Sequence, residues 1–127
     1  LRAGDKMIKE NKLDAILIDP YDQSVSRVDV DDDLQSIYEV MQCSLIEVVY
    51  LPNNQLLVID EEGRLNAKNR WFKIGDNAYA GRSLLLGNTS EGEFMSTNCT
   101  VDEIFNTVSF EEEGYYEEPQ MFFMPLN

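Results

Sequence analysis

The sequence contains no histidine, and that one absence removes several mechanisms at once. Imidazole is the commonest general base near neutral pH and the commonest metal ligand. A Ser-His-Asp or Cys-His site therefore cannot be assembled within this chain, and zinc binding is not expected. Cysteine is scarce too. Cys43 and Cys99 stand far apart at no metal or redox spacing, and two isolated thiols fit a reducing cytoplasm in which both stay free. Apolar runs are short: Leu45-Ile46 is cut by Glu47 and Leu84-Leu85-Leu86 by Gly87, so no transmembrane helix is expected. The segment Met7-Ile8-Lys9-Glu10-Asn11-Lys12 is polar where a secretory leader needs an apolar core. Neither a P-loop nor a G-x-G-x-x-G fingerprint is present, and no cofactor is expected.

Positive charge is also in short supply. Ten Lys and Arg face 24 Asp and Glu, for a formal net charge of −14. Such a surface repels DNA, RNA and anionic membranes, so direct binding to them is not expected. It suits either plain solubility or a basic protein partner. The charges are also ordered. From Val28 to Gly63 there are nine acids and no base; from Arg64 to Arg82, five bases and one acid; beyond Arg82, nine acids and no base. A basic island lies between two acidic blocks.

What is present is a folded composition, 43% hydrophobic over 127 residues, enough for one core. The organising stretch is Gln55 to Asn66, a buried strand running into the acidic turn Asp60-Glu61-Glu62, with Gly63 expected to free the backbone to reverse. Before it, Ala15-Ile16-Leu17-Ile18 ends at Asp19-Pro20, and Val25, Val28 and Val30 follow the turn, which predicts an antiparallel hairpin. Leu34, Ile37, Tyr38 and Met41 recur at helical spacing behind Asp31-Asp32-Asp33, predicting a capped helix over 32–42. Leu45 to Tyr50 and Gln55 to Asp60 flank Pro52-Asn53-Asn54 as a second hairpin.

From Ala67 to Arg82 no period stands out, and Asn69-Arg70-Trp71-Phe72 reads as loop or short helix. Ser83 to Gly87 resumes as a central strand. Thr100-Val101-Asp102-Glu103 has the form of a capping box opening a helix with Val101, Ile104, Phe105 and Val108 on one face. The reading is one α+β domain over 1–127, a mainly antiparallel sheet with two helices packed on it. Residues 1–12 and 111–127 are expected to be flexible or peripheral, the latter as a tail or an added strand.

Two acidic clusters invite a metal. Asp29, Asp31 and Asp33 have the first spacing of a calcium loop, but Leu34 and Val40 occupy its glycine and glutamate positions, and helix capping explains the acids better. Asp60-Glu61-Glu62 reads as a solvated hairpin end in preference to a magnesium site. The basic island is the candidate ligand site: if Arg64, Arg70 and Arg82 gather with Asn69, they receive a phosphate or carboxylate while Trp71 stacks on a base. The simpler alternative is that these arginines pair with nearby acids. The candidate partner site is Glu111, Glu112, Glu113, Tyr115, Tyr116, Glu117 and Glu118, where carboxylates offer phosphate-like charge and tyrosines add contact area.

Ile18-Asp19-Pro20, Leu34 to Tyr38, Cys43 to Val49, Leu51-Pro52, Asp60 to Leu65, Asn69-Arg70, Gly81, Leu84 to Gly87 and Glu91 to Phe94 recur in an order that resembles a family of small domains of unknown function from bacterial phages, plasmids and other mobile elements. The resemblance covers roughly residues 15–108 and departs at the acidic, aromatic ending after Phe110. It implies a setting, sometimes one of acting against host defences, and no activity. The expected function is a non-catalytic interaction protein that binds a basic partner; the alternative is a module for an anionic nucleotide or metabolite.

Overall fold

Gln55, Leu56, Leu57 and Val58 are buried at consecutive positions, so their strand must be covered on both faces. The structure, a computed structural model describing residues 12–118, shows how. The chain runs β1 (Lys12–Asp19), β2 (Ser24–Asp31), α1 (Leu34–Met41), β3 (Ile46–Leu51), β4 (Gln55–Asp60), a 3-10 turn (Gly63–Leu65), β5 (Trp71–Ile74), β6 (Asn77–Ala80), β7 (Ser83–Asn88), β8 (Phe94–Met95), α2 (Val101–Thr107) and β9 (Val108–Phe110). The larger sheet has the order β2-β1-β7-β4-β3, with β8 added on β7; the smaller has the order β6-β5-β9. Every pairing is antiparallel.

Alternation along the central strands sorts the core into two layers. Ala15, Leu56, Val58, Leu84 and Leu86 meet Ile37 and Met41 of α1 on one face. Ile16, Ile18, Leu57 and Leu85 meet Phe72 and Tyr79 of the smaller sheet on the other. Each buried Val, Leu, Ile, Met or Phe among these contributes about 1.5–3 kcal/mol by leaving water. The result is α+β, mainly antiparallel, with a helix on one face of the large sheet and the small sheet on the other.

Both helices carry the caps that their sequences predict, although α1 runs over Leu34–Met41 and not 32–42. Asp33 caps α1 by accepting from the Ser36 amide at 2.8 Å, and Gln42 ends it in the left-handed region. Leu34, expected on the buried face, is 55% exposed; α1 buries Ile37 and Met41. The capping box forms in both directions, Thr100 N to Glu103 at 2.7 Å and Glu103 N to Thr100 Oγ1 at 3.1 Å. No residue of α2 is fully buried, Phe105 is 53% exposed, and Val108, placed on this helix by its spacing, opens β9.

Two expectations are corrected. Asn69 to Phe72 is neither loop nor helix throughout: Trp71 and Phe72 open the β5–β6 hairpin. Adjacent residues are buried on opposite faces here, which erases the apolar–polar alternation that marks a half-buried strand. Gly63 does not supply a left-handed backbone, for its φ is not positive. The turn after β4 is made by Glu61-Glu62, with Asp60 accepting from the Glu62 amide at 2.9 Å. Glycine fits at 63 because an added Cβ would stand 2.5 Å from the Ala80 carbonyl oxygen.

Of the stretches expected to be peripheral, 1–11 and 119–127 lie outside the described residues, whereas Lys12 opens β1. Residues 111–118 lie on the small sheet, anchored where the Glu111 amide donates to the Trp71 carbonyl at 3.0 Å.

Candidate functional site

A polar node forms at one end of the large sheet. Asp19 closes β1 and is buried; its Oδ1 accepts from the amides of Tyr21 (2.9 Å) and Asp22 (3.3 Å), an Asx turn that Pro20 helps to shape. Its Oδ2 accepts from Arg82 Nε at 3.2 Å. Arg82 also donates to Gln42 Oε1 at the end of α1 (2.9 Å) and lies over the Tyr21 ring, 4.9 Å from its centroid. The Tyr21 hydroxyl donates to Asn69 Oδ1, and Asn69 Nδ2 donates to the Gly63 carbonyl at 3.0 Å. Burial pushes the Tyr21 phenol above its ordinary value, against the pull of Arg82 and with help from Asp19 and Asp60. It therefore remains a donor at neutral pH. The node ties four separate segments together and neutralises its own arginine, which makes it a structural clasp.

The residues expected to hold an anion do not gather into one cluster. Arg82 and Asn69 belong to the node. Arg64 donates to the Ala78 carbonyl at 2.7 Å, pairs with Glu117 at 3.7 Å and sits 5.1 Å from the Trp71 ring centroid. Trp71 is 0% exposed, with Tyr115 and Tyr116 edge-on at 5.6 and 6.1 Å, so the expected stacking of Trp71 on a base is corrected: the indole face is already covered. The reason is apolar burial, since Trp71, Ala78 and Ala80 form a patch on the outer face of the small sheet that the chain's own ending closes. Arg70 is different. Its Nε is buried without a hydrogen-bond partner among the described residues.

The acidic, aromatic ending is divided by this docking. Glu111 pairs with Lys73 at 3.8 Å, Glu117 with Arg64, and the Tyr115 hydroxyl donates to Glu117. Lys73 is held above its ordinary value by Tyr115 and then Glu111, and the Tyr115 phenol is raised first by its hydrogen bond to Glu117. Glu111, Tyr115 and Glu117 thus face the basic island of the same chain. Glu112, Glu113, Tyr116 and Glu118 remain exposed.

A second acidic face was not visible in the sequence. Asp32, beside the start of α1, and Glu93, before β8, flank a shallow hollow of about 420 Å³ also lined by Gly92 and Phe94. Exposed Leu34 and Glu39 lie on the same helix. The aspartates read as caps in the sequence; their approach to Glu93 depends on β8 joining β7, a pairing with no local signature.

Among the described residues there is no group of three or more carboxylate or thiol side chains placed to hold a metal ion, and no helix is long and apolar enough to cross a membrane. No curated protein and no solved structure gives a significant match to this chain. The family comparison does give one: residues 12–109 match a family model, and the chain accordingly belongs to the family described as Domain of unknown function (DUF3846).

Proposed function

We propose that this protein is a non-catalytic interaction protein of a bacterial mobile element, acting in the cytoplasm by presenting an acidic surface to a basic protein partner. The observation that carries this reading is how the bases are used. Of the seven bases among residues 12–118, Lys12, Arg27, Arg64, Lys73 and Arg82 each pair with a carboxylate of the same chain, and only Lys68 and Arg70 do not. Exposed Asp29, Asp32, Glu39, Glu47, Glu61, Glu62, Glu93, Glu112, Glu113 and Glu118 have no ion pair among the described residues. Unmatched charge of one sign raises the association rate with an opposite surface and makes binding salt-sensitive. The mobile-element setting, and with it a role against host defences, rests on the sequence resemblance.

Two neutralised variants test the reading: Asp32→Asn with Glu39→Gln and Glu93→Gln on the α1 side, and Glu112→Gln, Glu113→Gln and Glu118→Gln at the ending. None of these six holds another element in place through an ion pair. The reading expects at least one set to weaken binding to the captured partner several-fold and to flatten its salt dependence. Full-strength, salt-insensitive binding by both sets contradicts it.

A second reading, an anion-binding module, is favoured by one observation, the unpartnered buried Nε of Arg70. It expects a nucleotide or small phosphate to raise the melting temperature, with the effect abolished by Arg70→Ala. No shift across a nucleotide panel would count against it.

A further inference from the structure

A second concavity has a different character. It lies where the β3–β4 turn, the small sheet and α2 meet, with a volume of about 560 Å³. That is within the range of small-molecule pockets, roughly 300–1,000 Å³. Leu51, Ile74, Leu85 and Ile104 supply apolar surface, and Asn98 and Glu103 supply polar groups. The wall is held in place. Buried Gln55 accepts from Thr97 Oγ1 at 2.5 Å and donates to Asn98 Oδ1 at 3.2 Å and to the Asn53 carbonyl at 3.3 Å. Thr97 Oγ1 in turn accepts from the Cys99 amide at 3.1 Å. The pocket therefore exists before any ligand arrives, which lowers the ordering cost of binding.

Its electrostatics select a sign. Glu103 uses Oε1 in the capping box, while its Oε2 has no partner among the described residues. Among the described residues, no Lys or Arg lines the hollow. Arg27 reaches the Cys99 carbonyl at 3.1 Å but is paired with Asp14 and lies outside the lining. An anionic ligand would meet Glu103 and the field of a chain of net charge −14. We infer that this hollow is a binding site for a small organic molecule with an apolar body and a protonated amine, the body on Leu51, Ile74, Leu85 and Ile104 and the amine at Glu103. This inference stands apart from the acidic-partner reading, since it involves neither the α1 face nor the ending.

The two thiols provide the assay. Cys99 lines the hollow, whereas Cys43 packs against the α1 side of the large sheet and serves as an internal control. The protein is labelled with methyl methanethiosulfonate, a small neutral thiol reagent, and each cysteine is followed by mass spectrometry in the presence of hexylamine or hexanoate at matched pH and ionic strength. Hexylamine is expected to slow Cys99 and leave Cys43 unchanged, with no effect of hexanoate. Glu103→Gln keeps the capping box, because glutamine serves equally at that position. It should weaken hexylamine protection roughly two- to fivefold, the yield of an exposed ion pair. No protection of Cys99 overturns the site. Equal protection by both probes, or undiminished protection in Glu103→Gln, overturns the ligand class.

Discussion

Gly63→Ala tests whether the 3-10 turn is held by close approach or by backbone freedom. The added Cβ would lie 2.5 Å from the Ala80 carbonyl oxygen, about 0.9 Å inside the 3.4 Å at which ordinary contact begins. The obstructing atom is backbone of a strand buried in the small sheet, so no flexible side chain can swing aside. Overpacking of this kind costs about 1–3 kcal/mol. Replacing glycine restricts the unfolded chain and returns about 0.4–1 kcal/mol. The net loss is about 1–2 kcal/mol, a fall of about 4–8 °C in melting temperature for a domain of this size. Urea titration should show a lower midpoint with an unchanged slope. Gly63→Asn separates the explanations. A left-handed position tolerates asparagine better than alanine, whereas a steric one tolerates it no better. Gly75, with φ +61° and nothing within 4 Å of an added Cβ, is the converse control: Gly75→Asn should be milder than Gly75→Ala. Asparagine rescuing position 63 relative to alanine would refute the close-approach account.

Asn69→Leu should destabilise the node by about 1–3 kcal/mol through the Gly63 carbonyl it leaves unpaired, and a loss below about 0.5 kcal/mol in denaturant titration would contradict that. Arg82→Ala should cost about 2 kcal/mol, because the Asp19 side chain it abandons is only 9% exposed, whereas Arg27→Ala breaks an exposed pair worth under about 1 kcal/mol; equal losses would show that burial does not set the difference. Alkali should release the ending from Trp71. The Tyr115 and Lys73 values are both raised in the folded state, so the stability they add is complete below about pH 10 and is lost as pH rises through the raised values. The near-ultraviolet dichroism of Trp71 should fade above pH 10, and Tyr115→Phe, which keeps a ring but has no proton to lose, should retain it to higher pH; fading at the same pH in both would remove Tyr115 from the explanation.

The legible parts of this fold are those with local signatures. The β1–β2 and β3–β4 hairpins, the capped α1, the buried run of β7 and the capping box of α2 each carry their pattern within a few residues. Even there, periodicity overreached, counting Leu34, Phe105 and Val108 as buried helix positions. The β5–β6 hairpin has no local alternation because Trp71 and Phe72 are buried on opposite faces, and Gly63 has the rarer of two reasons for glycine, close approach in place of a left-handed backbone. The candidate sites were less legible because they are long-range. Tyr21 meets Asn69 across 48 residues and Arg82 meets Asp19 across 63. Charge order did show a basic island between acidic blocks. It could not show that Lys73 and Arg64 would meet Glu111 and Glu117, and so leave mostly acids, with Lys68 as an exposed unpaired base, on the described surface.

In the proposed function the exposed acids engage a basic protein through charge. Its most direct test is capture on the immobilised full chain from bacterial lysate at low salt, elution by a salt step, and native mass spectrometry of the eluate, repeated with the two neutralised variants. The account predicts a basic protein that elutes with salt and is retained less by a variant. A partner that survives the salt step and binds the wild type and both variants alike would contradict it.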